Sequence, residues 1–196
     1  MASINSILLN YNLPQVSVNH YKSIFTFPVI EYYEKLGFNF DDIDFSELAK
    51  EFYNEYLPRL EQCGLYSQVQ SILTYFNSIG YQQHIVSAMQ HDHLVESVEN
   101  LGIAHKFDSV NGLRDLFAAS KAELAHQVII ANDIDVKYTW FIGDTIHDFE
   151  VAKEIQCQHV LVSNGHHTHQ KLLTVTSRVV PDLSKIFGII NKEEKI

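Results

Sequence analysis

Cysteine is scarce in this sequence: two occur in 196 residues, Cys63 and Cys157, far apart and in no motif. That excludes a disulfide-built scaffold and fits a reducing, cytoplasmic setting. Cations are also few. Lysine and arginine number 14 against 24 aspartates and glutamates, for a formal net charge of −10. A surface this acidic argues against nucleic acid as a partner, because contacts to a phosphate backbone need clustered cations. It leaves room for a small anionic ligand in a local pocket. No apolar run approaches the roughly 20 residues needed to cross a bilayer, so no membrane partner is expected. The N-terminus lacks the basic segment and apolar stretch of a signal peptide. Four prolines and eight glycines are scattered, which leaves no obvious linker, and there is no internal repeat. The oligomeric state has no marker in the sequence.

What is present suits a folded core. Apolar residues make up 46% and charged residues 19%, a balance that excludes a disordered tail. The length fits one domain, or a core domain with a modest insertion.

The texture changes near residue 65. Residues 3–62 read as helices only. Ile4, Ile7, Leu8 and Tyr11 recur at helical spacing. The segment 19–36 carries Tyr21, Ile24, Phe25, Ile30, Tyr33 and Leu36, with Pro28 predicted to break it in two and Gly37 to stop it. Asp44 or Ser46 is placed to cap a third helix, with Leu48, Phe52, Tyr56 and Leu60 on one face. Beyond residue 65 the predicted helices lie at 67–79, 92–101, 121–131, 146–155 and 183–190. The predicted strands lie at 83–88, 107–110, 138–142, 159–162 and 178–180. This alternation predicts an α/β fold with a parallel sheet covered on both faces. Ligands in such folds sit beyond the carboxyl ends of the strands.

The most informative segment is Trp140-Phe141-Ile142-Gly143-Asp144-Thr145-Ile146-His147-Asp148. An apolar strand delivers a glycine, where the chain can turn sharply. Asp144 follows at the strand's end, and Asp148 lies four residues on, near a helix N-terminus. Two convergent carboxylates at the mouth of a sheet suit a hard divalent cation, Mg²⁺ above all. Helix capping alone accounts for one aspartate but not for the second at this spacing.

This Gly-Asp-Thr-x-x-Asp turn resembles the acidic motif of the haloacid dehalogenase superfamily. Ile85-Val86-Ser87-Ala88 resembles that family's second motif, whose hydroxyl binds phosphate, and Ser120-Lys121 resembles the third, whose lysine neutralises charge. The segment 160–166, ending Ser163-Asn164-Gly165-His166, is similar to the strand and loop that follow the acidic motif in phosphoglycolate-phosphatase-like members. The resemblance covers nearly the whole chain. It implies a three-layer, Rossmann-like parallel sheet with residues 1–12 as a core helix, 13–65 as a small all-helical cap and 66–196 as the α/β core. It implies Mg²⁺-dependent hydrolysis of a small phosphorylated metabolite. Ser87 and Lys121 would bind phosphate, with Lys121 also catalytic. Asp144 and Asp148 would form the metal site, Asp148 in support. Asn111 and His166 are candidates for the substrate-facing rim.

One departure stands against these matches. The family's first motif is a strand ending in Asp-x-Asp-Gly-Thr, which carries the nucleophile and the general acid, and no such segment occurs here. Asp42-Ile43-Asp44 and Asp133-Ile134-Asp135 follow no strand and precede no Gly-Thr. Without the nucleophile no aspartyl-phosphate forms, and the chain alone is expected to be inactive or nearly so. A shortened start is the preferred account, and a catalytically dead phosphate-binding or regulatory protein is the alternative. The missing strand would lie at the sheet's centre, between the strands predicted at 83–88 and 138–142. Either those two close up, or something else fills the slot, or the chain is marginal.

Two histidine clusters, at His91 and His93 and at His166, His167 and His169, lack the further ligands of a zinc site and read as polar loops. The aromatic residues of the first helices read mainly as packing, with a few facing the cleft.

Overall fold

The structure is a computed structural model and describes residues 1–114 and 120–193. The helical first third consists of α1 (Ala2–Asn10), α2 (Val18–Ile24), α3 (Val29–Lys35) and α4 (Phe45–Leu60). Their boundaries follow local chemistry. Ser17 caps α2 by accepting from His20 N–H, and Asp44 caps α4 by accepting from Ser46 and Glu47 N–H. Pro28, which has no N–H to donate, stands at the N-cap of α3 and separates it from α2. Gly37 ends α3 at φ +99°, a left-handed conformation that costs only glycine nothing. Ile4, Ile7 and Leu8 of α1 share one core with Phe25, Tyr32, Tyr33 and Leu48 of the next three helices. Most of the periodic apolar positions read in the sequence meet there, while Ile30 and Leu60 lie outside this core and Tyr32, outside the pattern, joins it.

The α/β part runs α5 (Val69–Ser78), β1 (His84–Gln90), α6 (His91–Asn100), β2 (Ser109–Leu113), α7 (Lys121–Ala131), β3 (Trp140–Gly143), α8 (Ile146–Glu154), β4 (Gln158–Val162), α9 (His169–Leu173), β5 (Val179–Val180) and α10 (Phe187–Glu193). Every observed strand pair is parallel. The period of two along each strand sorts side chains between layers. Val160, Val162 and Trp140 pack with Ile72, Phe76 and Ile186 on the α5–α10 side. Phe141 and Val86 pack with Ala125, Val151 and Ile155 on the α7–α8 side. This is the expected helix–sheet–helix layering. Among the described residues, no helix is long and apolar enough to cross a membrane.

The sheet is in two pieces. β1 pairs with β2, and β3 pairs with β4, which pairs with β5, but β1 and β3 do not pair with each other. They have not closed up. A cavity of about 340 Å³ lies between them, lined by His84 and Val86 from β1 and by Trp140, Phe141 and Ile142 from β3.

Several boundaries differ from the sequence expectations. β2 starts two residues later and runs three further than predicted, to Leu113. Residues 183–190 divide into a 3₁₀ turn at Leu183–Lys185 and then α10. α9 was read as loop; Thr168 starts it by accepting from Lys171 N–H.

Candidate active site

β3 ends at Gly143, and the chain turns at once into α8. Thr145 begins that helix with a capping box: its hydroxyl accepts from Asp148 N–H, and Asp148 reaches back to Thr145 N–H. Asp148 does more than cap. Its Oδ2 accepts from Asp144 N–H at 2.9 Å, Thr145 N–H at 2.9 Å and the Thr145 hydroxyl at 2.7 Å. Its Oδ1 accepts from Lys121 Nζ at 2.5 Å. Gly143 is required here, because a Cβ on it would overlap the Asp148 side chain.

The Asp148 side chain is 3% exposed as a residue. Burial pushes its carboxyl pKa upward, but the Lys121 ammonium and the hydrogen bonds from Lys121, Thr145 and Asp144 outweigh this and hold it below its ordinary value. Lys121 is the first residue of α7, whose own capping box uses Ser120 and Glu123. Its ammonium also lies 5.5 Å from the Phe141 ring centroid. Lys121, Asp144 and Asp148 are thus joined in one constellation from two helices and a strand end.

Asp144 faces the other way, into a cleft of about 690 Å³. One carboxylate oxygen accepts from His166 N–H at 2.5 Å. Gly165 allows this approach, since a Cβ there would overlap that same carboxylate. The other oxygen has no hydrogen-bond partner among the described residues. Tyr21 and Lys22 of α2 line the cleft opposite Asp144, with His166 and Asn164 beside it. The Tyr21 hydroxyl bonds His166 Nδ1, and Phe25 stacks on the His166 ring at 4.8 Å. Burial, with Asp144 adding, raises the Tyr21 pKa well above its ordinary value, so the phenol stays protonated.

His167 holds this wall in place. It is 2% exposed. Its Nδ1 accepts from Ile146 N–H at 3.1 Å, and its Nε2 lies 2.9 Å from the Phe25 carbonyl oxygen. With one nitrogen accepting, the other must carry the proton and donate. Lys171 Nζ donates to the same carbonyl and to that of Ser23. Burial first, then the Lys171 charge, pushes the His167 pKa down to about 4. The ring is a neutral strut between the start of α8 and the α2–α3 turn.

A family model described as haloacid dehalogenase-like hydrolase matches residues 1–162. The chain belongs to that family. Its fold is shared with solved structures of low identity. A haloacid dehalogenase-like hydrolase from Streptococcus pneumoniae superposes with a TM-score of 0.82 at 19% identity, covering 95% of this chain and 88% of that one. A protein described as a predicted phosphatase from Clostridium acetobutylicum gives 0.77 at 15%, covering 99% and 89%. A predicted phosphoglycolate phosphatase from Haemophilus somnus gives 0.71 at 20%, covering 95% and 88%. A sequence search of curated proteins found no match.

The remaining candidates fall in different places. Ser87 is the last regularly paired residue of β1, opposite Gly112, and the register shifts beyond it. Its Oγ accepts from Met89 N–H at 3.1 Å, which leaves the hydroxyl proton free to donate. No contact joins it to Lys121 or Asp144; it stands on the far side of the slot between the half-sheets. Asn111 is not at the rim. It lies inside β2, and its amide donates to Ile85 C=O at 3.0 Å and Ser109 Oγ at 2.8 Å. The later end of β2, at Leu113, moves it from beyond the strand to its middle. His166 does reach the cleft.

Three of the four aspartates in the pairs away from the motif have structural work. Asp42 accepts from the Asn39 amide, Asp44 caps α4, and Asp135 caps the 3₁₀ turn at Val136–Tyr138. Among the described residues, no group of three or more His, Cys, Asp or Glu side chains is arranged to hold a metal ion. Asp148 does not fit a ligand's role, because both its oxygens are taken by Lys121, Thr145 and backbone N–H groups. Asp144 fits one, with a single open oxygen. Mg²⁺ is commonly held by one or two carboxylates, waters and a substrate phosphate.

Proposed function

We propose that this site is that of a phosphatase acting on small phosphate monoesters, with a phosphoglycolate-like acid as the substrate class. The observation that carries the reading is the Lys121–Asp148–Asp144 constellation at the carboxyl end of β3, from which Asp144 faces a cleft. Phosphoryl transfer depends on positioned charge more than on elaborate covalent chemistry. The Lys121 ammonium, aimed by Asp148, would neutralise phosphoryl oxygens, and the Ser87 hydroxyl would donate to them. Asp144 would hold Mg²⁺, which when bound supplies further positive charge there. Asp148 acts through Lys121 and Asp144 and is a positioning residue. Tyr21, Lys22 and His166 would face the leaving group. The two unpaired cysteines agree with a cytoplasmic setting.

We also propose that these 196 residues alone turn over little or no substrate. Among the described residues no aspartate ends a strand lying between β1 and β3, and Asp44 and Asp135 of the two other Asp-x-Asp pairs serve as caps. This favours a second reading, a phosphate-binding protein without catalysis. Hydrolysis of p-nitrophenyl phosphate and phosphoglycolate with Mg²⁺, beside calorimetry with inorganic phosphate, separates the two. Binding that is lost in Lys121→Ala, without turnover, supports the site and the second reading together. Turnover abolished by Asp144→Asn overturns the claim of inactivity. Neither binding nor turnover overturns the site.

A further inference from the structure

β1 and β2 meet at an irregular end. The register runs evenly to Ser87, opposite Gly112, and then shifts so that Gln90 lies opposite Leu113. Such an irregularity re-aims the side chains beside it. Gly112 permits the close approach there, since a Cβ on it would lie 2.6 Å from the Met89 carbonyl oxygen and 2.8 Å from His91 Cα. The result sets the His91 ring, at the start of α6, against the buried Gly112 N–H, which donates to Nδ1 at 3.3 Å. A backbone N–H can only donate, so Nδ1 is the accepting nitrogen and the proton of the neutral ring stands on Nε2. That Nε2 lies 3.5 Å from a terminal nitrogen of Arg114, and a guanidinium carries donors only. Two N–H groups therefore converge, and among the described residues neither has an acceptor. Arg114 makes no ion pair among those residues, and neighbouring Asp92 accepts from the Gln90 amide instead.

We infer that His91 and Arg114 form a binding site for a small oxyanion, a phosphate or carboxylate group, where β1, β2 and α6 meet. An imidazole N–H beside a guanidinium fork matches two oxygens of one such group, and an oxygen between the two donors turns an unfavourable contact into two charge-assisted hydrogen bonds. Arg114 is exposed and His91 half-buried, so a solute reaches both. Lys121 differs in this respect, because its charge is already paired with Asp148. No hydrogen bond among the described residues joins His91 or Arg114 to Lys121, Asp144 or Asp148. The inference rests on the proton placed by Gly112 and stands or falls apart from the phosphatase reading.

The test follows the imidazole nitrogens of the whole chain by NMR at pH 7.5, with the His91 signals assigned by their loss in His91→Gln. Before any anion is added, Nδ1 should be the unprotonated nitrogen. Inorganic phosphate and acetate are then titrated separately, with ionic strength held constant by chloride. At least one should shift the His91 Nε2 signal saturably, with half the effect at about 1–10 mM, as befits a small ligand held by a few bonds. A response to phosphate alone assigns the site to phosphate groups, one to acetate alone assigns it to carboxylates, and a response to both supports an oxyanion site of either kind. Arg114→Gln, at an exposed position, should weaken the response at least about tenfold while circular dichroism stays unchanged. Lys121→Ala should leave it within about twofold, as an independent site must. A proton on Nδ1, no saturable shift with either anion, or a response undiminished in Arg114→Gln would overturn the inference. Loss of the response in Lys121→Ala would assign the bound ion to the site already described and overturn it too.

Discussion

Lys121 Nζ lies 2.5 Å from Asp148 Oδ1, although 27 positions separate them along the chain. The contact ties the first residue of α7 to the first turn of α8 and so fixes the charge at the carboxyl end of β3. The two partners are not equivalent. Asp148 has three further donors on its other oxygen, whereas the only ion pair of Lys121 among the described residues is this one.

Removing each partner should therefore cost different amounts. Asp148→Asn leaves the Lys121 ammonium largely buried without its counter-charge and weakens the α8 capping box. The expected loss is about 3–5 kcal/mol, the usual range when a buried pair is broken. Lys121→Met keeps most of the packing volume, and the three donors on Oδ2 still hold the Asp148 charge, although Oδ1 loses its partner. It should cost less, about 1–3 kcal/mol. Urea unfolding of both variants gives the comparison. Equal losses would show that the Asp148 capping bonds contribute little.

Gly143 and Gly165 each make room for one aspartate, and alanine at each should fail differently. A Cβ on Gly143 overlaps buried Asp148, so Gly143→Ala should lower stability by about 1–3 kcal/mol, the range for overpacking a core. A Cβ on Gly165 overlaps the Asp144 carboxylate at the edge of the cleft, where the side chain has space to turn away. Gly165→Ala should barely move the melting temperature and should weaken Mg²⁺ or phosphate binding about tenfold. Thermal melts and calorimetry distinguish the two outcomes.

These residues were legible in the sequence because each acts within a few positions of its neighbours. The strand, glycine and capping box of 140–148 form one local unit, and Lys121 sits inside a Ser-x-x-Glu box that marks a helix start. Pro28, Gly37 and Asp44 likewise announced their own boundaries. Asn111 is misplaced because a weak strand has no sharp local end, and three residues of slippage at that end turn a strand terminus into a strand interior. His167 was missed because its partners, Ile146 and Phe25, are 21 and 142 positions away. Nothing in a run of loop histidines distinguishes the buried one. The aromatic helices read mainly as packing with a few residues facing the cleft, and Tyr33 in the core and Tyr21 at the cleft are one of each. The Thr168 cap with Leu172 and Leu173 was a signal for α9 present in the sequence.

The buried neutral His167 makes stability depend on pH. Its pKa is about 4 in the folded chain against an ordinary value of 6.5. Between these values the unfolded chain binds the extra proton and the folded chain does not. The stabilisation is complete above about pH 6.5 and falls as the pH drops toward 4, by at most about 3 kcal/mol. Asp148, with its pKa lowered, adds a further loss at still lower pH as it becomes protonated. His167→Gln should flatten the first window and leave the second. Urea midpoints at pH 7.5, 5.5 and 4.5 are the measurement, and an unchanged slope in His167→Gln would assign the acid sensitivity elsewhere.

Tyr21 controls one more variable, the orientation of His166. The phenol is held protonated by burial and by the nearby Asp144 charge, and its hydroxyl shares a hydrogen bond with His166 Nδ1. That contact fixes the ring against Phe25 at the edge of the cleft. Tyr21→Phe removes the hydroxyl but keeps the aromatic packing with Phe25 and Tyr32, so the melting temperature should change by no more than about 2 °C. A ligand that touches His166 should bind about three- to tenfold more weakly, the effect of one lost hydrogen bond that orients its partner. Calorimetry with phosphoglycolate and with inorganic phosphate separates the two parts of the site. A loss confined to phosphoglycolate places Tyr21 and His166 at the leaving group. Equal losses for both would place them at the phosphate, and no loss for either would remove them from the site.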